Sequence, residues 1–437
     1  MSLTLFRTRL LPSPSRPGLT PVELILRFPL LPLLLLLAVV SGWSARAEDW
    51  PQWRGPRRDG TFHGPQWPGQ LDTNHLQLSW RVECGPSYSG PIIVSNRVFT
   101  TATKDGKLEE VLALDRQTGK TLWRTGWQGA VSVPFFAKSN GDWIRGTPAC
   151  DGERLFVPGM RDVLVCLSVA DGKELWRCDF VDRLQTPLPD FGLVCSPLIH
   201  GDFVYLQAGA GFAKLSKSEG EILWRTLIDK GGMWGSAFSS PILVQIAGKQ
   251  QLLVQTRTRL AGVDPDTGAV LWEQAIEAFR GMNILTPVVQ GDLLLTSTYG
   301  GRTIAFKVTE KDGKFTVAEA WRHKAQGYMS TPVVVDGVAY HHLKSQRAMA
   351  VDFATGKELW TTDQSFGKYW SMAVQGDRIL ALDERGILLL FRANKQKFDL
   401  LDQRKLADTD TWAHVAPSED QLFIRELRAM TAYRWRP

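Results

Sequence analysis

The fold is decided by the segment LALDRQTGKTLW, which runs from Leu112 to Trp123. An apolar strand ends at Asp115, a Thr-Gly turn follows, and a second strand carries Trp123. Gly119 supplies the positive φ that such a turn needs, and the side chains of Asp115 and Thr118 can bond the amides of the turn. The segment therefore predicts two antiparallel strands joined by a tight turn.

The same order of elements returns along the chain at intervals of about 40 to 50 residues. Each copy opens on a strand led by Pro, continues through an apolar strand and the turn, and closes on a strand that carries Trp. A seventh copy is degenerate and has Phe398 in the Trp position. We expect the tryptophans to be structural and to wedge between adjacent sheets. They are Trp80, Trp123, Trp176, Trp224, Trp272, Trp321 and Trp360.

Incomplete units stand at the two ends of the repeat array. Three strands without a Trp strand follow Ala416, and a lone Trp strand from Gln77 to Val82 precedes the first full copy. Together they make one complete unit, which would close the array and remove its unpaired edges. The sequence therefore predicts an all-β fold, an eight-bladed β-propeller of four-stranded antiparallel blades, closed by an N-terminal strand that completes the C-terminal blade.

This repeat resembles the tryptophan-docking blade motif of the pyrroloquinoline-quinone (PQQ) propeller superfamily. Its branches include the quinoprotein alcohol dehydrogenases, the BamB propellers of outer-membrane assembly, and secreted PQQ-like propellers of planctomycete-type bacteria. The stretch from Asp49 to Gly60 is similar to the lead sequence of the third branch, and so are Arg145-Gly146-Thr147-Pro148 and Trp412-Ala413-His414. The resemblance covers nearly all of 48–437 and implies a fold rather than an activity.

The start of the chain is typical of an export signal. Basic residues precede the apolar stretch from Phe28 to Val40, and Ala45-Arg46-Ala47 offers a signal-peptidase site. We expect a signal peptide at 1–47, a lead segment at 48–76 and the propeller at 77–437. The mature protein would be periplasmic or secreted and would not span a membrane, although an uncleaved anchor is the alternative.

Charge and cysteine content favour neither nucleic acid nor metal as a partner. The net charge of +6 falls to about +2 without the first 47 residues, which carry five arginines and one glutamate. The five cysteines form no CxxC pair, so a zinc site has no support. We expect them to be buried small residues, and we expect no bound metal and no nucleic-acid partner.

The segments that enter the Pro-led strands should lie on one rim of the propeller, around a central funnel. One cation, several aromatic faces and an amide there could bind an anionic or planar ligand. The aromatic residues could instead pack the loops, and the cation could bond carbonyl groups inside the channel. The predicted rim residues are Tyr88, Arg145, Trp234, Asn283, Tyr328, Trp370 and His414.

A long loop before the second Pro-led strand carries Phe135 and Phe136, which could dock a partner or fold back as a lid. We predict a monomeric, non-catalytic binding or scaffold module for an envelope protein, a glycan or a small ligand, without a cofactor.

The alternative, implied by the resemblance, is a dehydrogenase that holds PQQ and calcium in the funnel. Such enzymes hold the quinone under a disulfide between adjacent cysteines, and this chain has no adjacent pair.

Overall fold

The strands follow the repeat, and each repeat folds into one sheet. The computed structural model describes residues 48–229 and 236–436, so the predicted export signal and Trp234 lie outside the described residues. Within these residues the chain forms eight four-stranded antiparallel sheets. The innermost strands of neighbouring sheets pack against each other, and the sheets form the blades of a closed propeller. The predicted fold is confirmed.

Blades 1 to 4 each run from an inner to an outer strand in chain order. Blade 1 contains β2 (Ile92–Val94), β3 (Arg97–Lys104), β4 (Leu108–Asp115) and β5 (Thr121–Gln128), and blade 2 contains β6 (Ala149–Cys150), β7 (Arg154–Gly159), β8 (Val163–Ser168) and β9 (Glu174–Asp179). Blade 3 contains β10 (Leu198–His200), β11 (Phe203–Ala208), β12 (Gly211–Ser216) and β13 (Ile222–Thr226). Blade 4 contains β14 (Ile242–Ile246), β15 (Lys249–Gln255), β16 (Arg259–Val263) and β17 (Val270–Ala275).

Blades 5 to 7 repeat this order, and blade 8 combines the two ends of the chain. Blade 5 contains β18 (Val288–Gln290), β19 (Leu293–Ser297), β20 (Thr303–Lys311) and β21 (Lys314–His323), and blade 6 contains β22 (Val333–Val335), β23 (Val338–His342), β24 (Ala348–Asp352) and β25 (Glu358–Thr361). Blade 7 contains β26 (Trp370–Gln375), β27 (Arg378–Asp383), β28 (Ile387–Arg392) and β29 (Asp399–Lys405). Blade 8 contains β30 (Ala416–Ser418), β31 (Gln421–Glu426) and β32 (Ala429–Trp435) together with β1 (Leu76–Glu83).

The ring closes through β1, which pairs antiparallel with β32. The register runs from Leu76 opposite Trp435 to Glu83 opposite Ala429, with a bulge between Leu78 and Trp80. The first strand of the propeller is thus the outer strand of its last blade. This pairing joins the two ends of the ring and leaves no blade incomplete.

A contact between an indole and a glycine joins five of the eight pairs of neighbouring blades. Trp80 of blade 8 donates its Nε1 hydrogen to the carbonyl of Arg116 in blade 1 at 2.8 Å. Gly119 of the same turn has φ +71°, and a Cβ on it would stand 2.8 Å from the Trp80 ring. Glycine is therefore required twice, for its backbone conformation and for the space that the indole fills.

Five other tryptophans repeat the hydrogen bond, and all of them except Trp360 also pack against the glycine of the next turn. Each donates its Nε1 hydrogen to a carbonyl in the following blade; the pairs are Trp123 with Val169, Trp176 with Lys217, Trp224 with Asp266, Trp321 with Phe353, and Trp360 with Asn394. Trp272 differs and donates to Oε1 of Gln251 in its own blade. Blade 5, which follows it, has the hairpin Lys311–Lys314 in place of the Thr-Gly turn.

Asp and Thr side chains hold the turns themselves. Oδ1 of Asp115 accepts from the amide of Thr118 at 2.8 Å and from its hydroxyl at 2.7 Å. The same two bonds recur between Asp264 and Thr267 and between Asp352 and Thr355. The turn residues therefore fix the loop on which the neighbouring indole rests.

Helical turns occur in the loops between blades. They are α1 (Phe180–Leu184) and two short 3₁₀ turns at Phe135–Asn140 and Phe279–Gly281. Among the described residues, no helix has both the length and the apolar character needed to cross a membrane.

We predict that Trp80→Ala lowers the free energy of unfolding by about 3–5 kcal/mol, because it empties a buried site at the point where the ring closes. Trp80 is 7% exposed. Leu78→Ala is the matched control on the same strand; this side chain is 56% exposed, and its loss should change stability by less than about 0.5 kcal/mol. Urea unfolding followed by circular dichroism measures both, and equal losses would contradict the role of the indole.

Candidate functional site

A belt of hydroxyl groups lines the throat of the propeller. In blades 2 to 6, the Ser or Thr before the Pro of the inner strand accepts a hydrogen bond from the backbone N–H of the equivalent residue in the preceding blade. Ser196 Oγ accepts from Thr147 N, and Ser240 Oγ accepts from Ser196 N, both at 3.0 Å. Thr286 and Thr331 continue the series at 3.1 and 3.0 Å. The Ser/Thr-Pro dipeptides therefore join the inner strands, a role that the Pro-led pattern alone did not suggest.

A funnel opens above this belt. Its walls enclose about 1300 Å³ of space that is partly continuous with solvent. Half-buried aromatic rings surround it, and the throat hydroxyls form its lower wall. The aromatic lining consists of Trp53, Tyr88, Phe238, Tyr328, Tyr369 and Trp412. The rings of Tyr369 and Trp412 are stacked on each other, with planes 15° apart and centroids at 5.8 Å.

Four of the predicted rim residues line this funnel. Tyr88, Arg145, Tyr328 and His414 come from the segments before four different inner strands, and the ring brings them around one space. The prediction rested on the position of these segments relative to the Pro-led strands.

Two other predicted rim residues are placed elsewhere. Asn283 is 2% exposed, and its Nδ2 donates to the carbonyls of Thr256 and Arg257 at 3.0 Å each. Trp370 is 1% exposed and packs against His342 and Phe366 between blades 6 and 7. Since Trp370 is the first residue of β26, its side chain follows the pleat into the core and leaves the wall to Tyr369.

Arg145 is the cation of the funnel wall. Its guanidinium lies over the Tyr88 ring, 5.2 Å from the centroid, and Nη2 donates to the carbonyl of Gly141 at 2.6 Å. Burial lowers the pKa of this guanidinium below its ordinary value, against the opposing effect of Tyr88 and Asp142. The arginine is held in place by a ring and by a carbonyl, with no carboxylate in hydrogen-bonding contact.

His414 is neutral at physiological pH. It is 7% exposed, and burial, followed by the nearby charge of Arg54, lowers its pKa to about 3. Its Nδ1 lies 3.1 Å from the carbonyl of Val415, which fits an N–H donor at that atom. Its ring meets Trp53 edge to face at 5.9 Å. His414 therefore supplies shape to the funnel rather than charge.

The floor of the funnel comes from the lead segment, which sequence reasoning did not place. Trp50 exchanges two 2.9 Å backbone bonds with Ile93 of blade 1, and Phe62 N donates to Val374 O of blade 7 at 2.7 Å. Between these anchors the chain crosses the centre of the ring, where Arg58 reaches blade 3 and Arg54 reaches blade 6. The sequence feature that could have indicated this path is the pair of arginines in a stretch rich in Gly and Pro.

The charges in the funnel lining have one sign. Among the described residues that line it, Arg145 and Lys368 carry charge, and carboxylates are not among them. Arg54 and Arg58 lie just behind Trp53, 5.6 and 5.4 Å from its ring centroid. Cations in a partly desolvated space raise its affinity for anions.

An aromatic ridge continues from the funnel onto the rim. Phe191 links Phe238 of the lining to Phe136, with centroids at 5.5 and 6.4 Å. Phe135 follows at 5.6 Å and is 86% exposed. Exposed aromatic side chains of this kind are common at protein–protein and ligand interfaces.

The donor set does not fit a calcium–PQQ assembly. Calcium takes oxygen ligands that usually include carboxylates, whereas this lining offers hydroxyls, rings, the amide of Asn140 and two cations. The described cysteines are all free, and the described His, Cys, Asp and Glu residues form no group of three that could hold a metal ion. We therefore derive no oxidation step from this funnel.

The closed ring, the indole–glycine contacts and the funnel above the inner strands define a PQQ-like β-propeller. The family described as outer membrane protein assembly factor BamB matches residues 107–362, which is more than half of the chain. The chain belongs to this family.

Relatives of two kinds share this sequence pattern. The outer membrane protein assembly factor BamB of Yersinia pestis is 22% identical over 336 residues, 72% of this chain and 71% of that protein. Polyvinylalcohol dehydrogenase of Sphingopyxis sp. (strain 113P3) is 23% identical over 266 residues, 52% of this chain and 39% of that enzyme. The solved quinohemoprotein alcohol dehydrogenase from Comamonas testosteroni shares the fold, with a TM-score of 0.60 and 13% identity over 89% of this chain and 81% of that one.

We predict that acid destabilises the fold partly through His414. The unfolded chain takes up a proton near pH 6.5, whereas the folded chain does so near pH 3, so stability is lost as the pH falls through this window. Between pH 7 and pH 4, His414→Leu should reduce this loss by about 3 kcal/mol. Urea unfolding at both pH values measures it.

His200→Leu, at an exposed position on β10, is the control and should leave the pH dependence unchanged. His341 and His342, whose pKa values burial lowers to about 4, should maintain part of the acid sensitivity in both variants. If His414→Leu and the wild type lost stability in parallel, the assignment would be wrong.

Proposed function

We propose that the protein is a non-catalytic recognition module of the cell envelope that binds an anionic ligand in its funnel. The observation that carries this proposal is the lining, in which aromatic faces and hydroxyls accompany cations without an opposing carboxylate. Such a surface attracts a negatively charged group and offers flat rings to the rest of the ligand.

Each part of the lining has its own role in this proposal. Arg145 and Lys368 attract the anionic group, and the stacked Tyr369–Trp412 pair offers an aromatic face to a flat face of the ligand, such as a sugar ring. The throat hydroxyls provide hydrogen bonds, since Ser and Thr oxygens can both donate and accept. An acidic glycan combines these properties and is the ligand class that we favour.

The setting of the protein is part of the proposal. The predicted signal peptide at 1–47 would export the chain to the periplasm or the exterior. The name of the Yersinia pestis relative refers to assembly of outer membrane proteins, and the exposed ridge at Phe135 and Phe136 offers a surface for an envelope protein. We propose that a monomer presents the funnel and this ridge on one rim.

The alternative is a PQQ-dependent dehydrogenase, which the Sphingopyxis relative and the Comamonas fold neighbour favour by their names. The two functions differ in whether they need bound calcium. A dehydrogenase needs the metal beside its quinone, whereas an anion-binding funnel needs only its cations and rings.

We predict that hexagalacturonate binds the signal-free protein saturably and that Arg145→Ala weakens this binding at least tenfold, since the charge-assisted contact is lost. Maltohexaose, a neutral probe of equal length, should bind much more weakly. Isothermal titration calorimetry at two salt concentrations measures both, and binding of the acidic probe should fall as salt rises.

Two control variants make the result specific. Arg145→Lys retains the charge and should retain most of the affinity. Arg259→Ala removes a partly exposed arginine of β16 that pairs with Glu273 of the outer strand β17, and it should change nothing. Equal affinities for the acidic and the neutral probe would contradict the proposal that the funnel prefers an anionic ligand. Calcium-dependent dye reduction with added PQQ, abolished by Arg145→Ala, would establish the dehydrogenase instead.

A further inference from the structure

Two arginines of the lead segment are buried at the centre of the ring. Arg54 is 1% exposed and Arg58 is 2% exposed. Nη2 of Arg54 donates to the carbonyls of Asp59 and Pro332 at 2.8 and 2.9 Å. Arg58 donates to the carbonyls of Pro197 and Ser196 at 2.7 and 3.0 Å. Backbone oxygens therefore bind part of each guanidinium.

Nη1 of Arg58 also donates to Oε1 of Gln52 at 3.4 Å, whereas three other nitrogens of these arginines have no acceptor in the described part of the chain. Nε and Nη1 of Arg54 and Nε of Arg58 are buried without a hydrogen-bond partner. A buried donor without an acceptor is costly, and a buried charge without a counter-charge is costlier still.

No described carboxylate forms an ion pair with either guanidinium. The carboxylate of Asp59, which acts on Arg54 from a distance, instead accepts from Thr61 N at 2.7 Å and lies 3.5 Å from Arg57. Arg116 provides the comparison within the same chain: it is equally buried, but the carboxylate of Glu419 lies 3.3 Å away.

Both arginines keep their charge and act on the same small region. Burial lowers the pKa of Arg54 to about 10 and that of Arg58 to about 9, so both are protonated at neutral pH. The charge of Arg54 also lowers the pKa of Arg58, which places the two cations within electrostatic reach of each other. Trp53 lies within 5.6 Å of both guanidinium carbons and separates them from the funnel.

The backbone holds both residues in an unfavourable conformation. Arg54 has φ 60° and Arg58 has φ 59°, in the left-handed region that side chains with a Cβ rarely adopt. Strain of this kind persists where the surrounding structure requires a side chain in one place. Here it directs both guanidinium groups to the axis of the ring.

We propose that the N–H groups of Arg54 and Arg58 bind one small inorganic anion, of the size of chloride, behind Trp53 at the centre of the propeller. Backbone carbonyls pack against both side chains, which favours a single-atom ion over a larger oxyanion. The anion would neutralise part of the buried charge and fasten the lead segment to blades 3 and 6. The site is separate from the funnel and does not depend on the ligand proposed there.

Thermal unfolding in sodium chloride and in sodium gluconate at equal ionic strength tests this proposal. Chloride binds only the folded state in this scheme, so the midpoint should rise saturably by about 3 to 5 °C relative to gluconate. Bromide should act like chloride, while phosphate should give a smaller rise. Arg54→Met should lose the difference between the salts.

Arg116→Met is the matched control, because it removes an equally buried arginine that already has a carboxylate. It should lower the midpoint in both salts and retain the chloride response. A response of Arg54→Met equal to that of the wild type would show a general salt effect and would overturn the proposal, as would identical midpoints of the wild type in both salts.

Crystals of the wild-type protein soaked in sodium bromide provide a test that needs no variant. An anomalous peak within about 3.5 Å of Arg54 Nη1, on the axis side of Trp53, is expected from the spacing of charged hydrogen bonds to a halide. A map without a peak there would overturn the proposal even if Arg54→Met failed to fold. If the peak is present but the protein does not bind hexagalacturonate, the anion site is supported and the ligand proposed for the funnel is contradicted.

Discussion

The contact between an indole and the glycine turn of the next blade is the interaction on which the rest of the structure depends. At five of the eight interfaces it fixes a sheet to its neighbour by packing and by one directed hydrogen bond, as Trp80 does with Gly119 and the carbonyl of Arg116. A ring of sheets has no single core, so every interface must be specified by its own residues. At these five interfaces the repeat uses two positions, a Trp on the outer strand and a Gly in the turn, and Asp and Thr side chains stabilise the conformation of the turn.

A second set of bonds joins the blades at the axis. Each throat hydroxyl accepts a hydrogen bond from the backbone N–H of a residue that precedes a proline, and the proline itself has no N–H. The outer contacts set the spacing of the blades and the hydroxyl belt sets the width of the throat. Because both sets are built from the repeat, the loops between blades are free to vary, and they carry the aromatic and cationic lining of the funnel.

The sequence was sufficient for the architecture and for part of the site. Repeat spacing and the split last unit predicted the closed ring, because each blade is a local unit that the chain order places beside the next. Position in the repeat also placed Tyr88 and Arg145 on the funnel wall. Position in the repeat pointed to Trp370, whereas the side chain on the funnel wall is that of Tyr369. A shift of one residue along a strand moves a side chain from the funnel wall into the core. Trp53 was missed because the lead segment lies outside the repeat, and contacts with blades 1, 3, 6 and 7 set the path of that segment.

The positive charge at the centre follows from the way the ring is closed. Inner strands at the axis direct carbonyl oxygens, such as those of Pro197 and Pro332, towards a space that no further strand can fill. Those oxygens require donors, and arginine presents five N–H groups on one planar head. A single segment carrying Arg54 and Arg58 can therefore bond opposite sides of the ring, but it brings two charges into a low-dielectric region. The funnel above Trp53 lies in the field of these charges, so the preference for anions that we propose would follow from how the fold satisfies its own backbone.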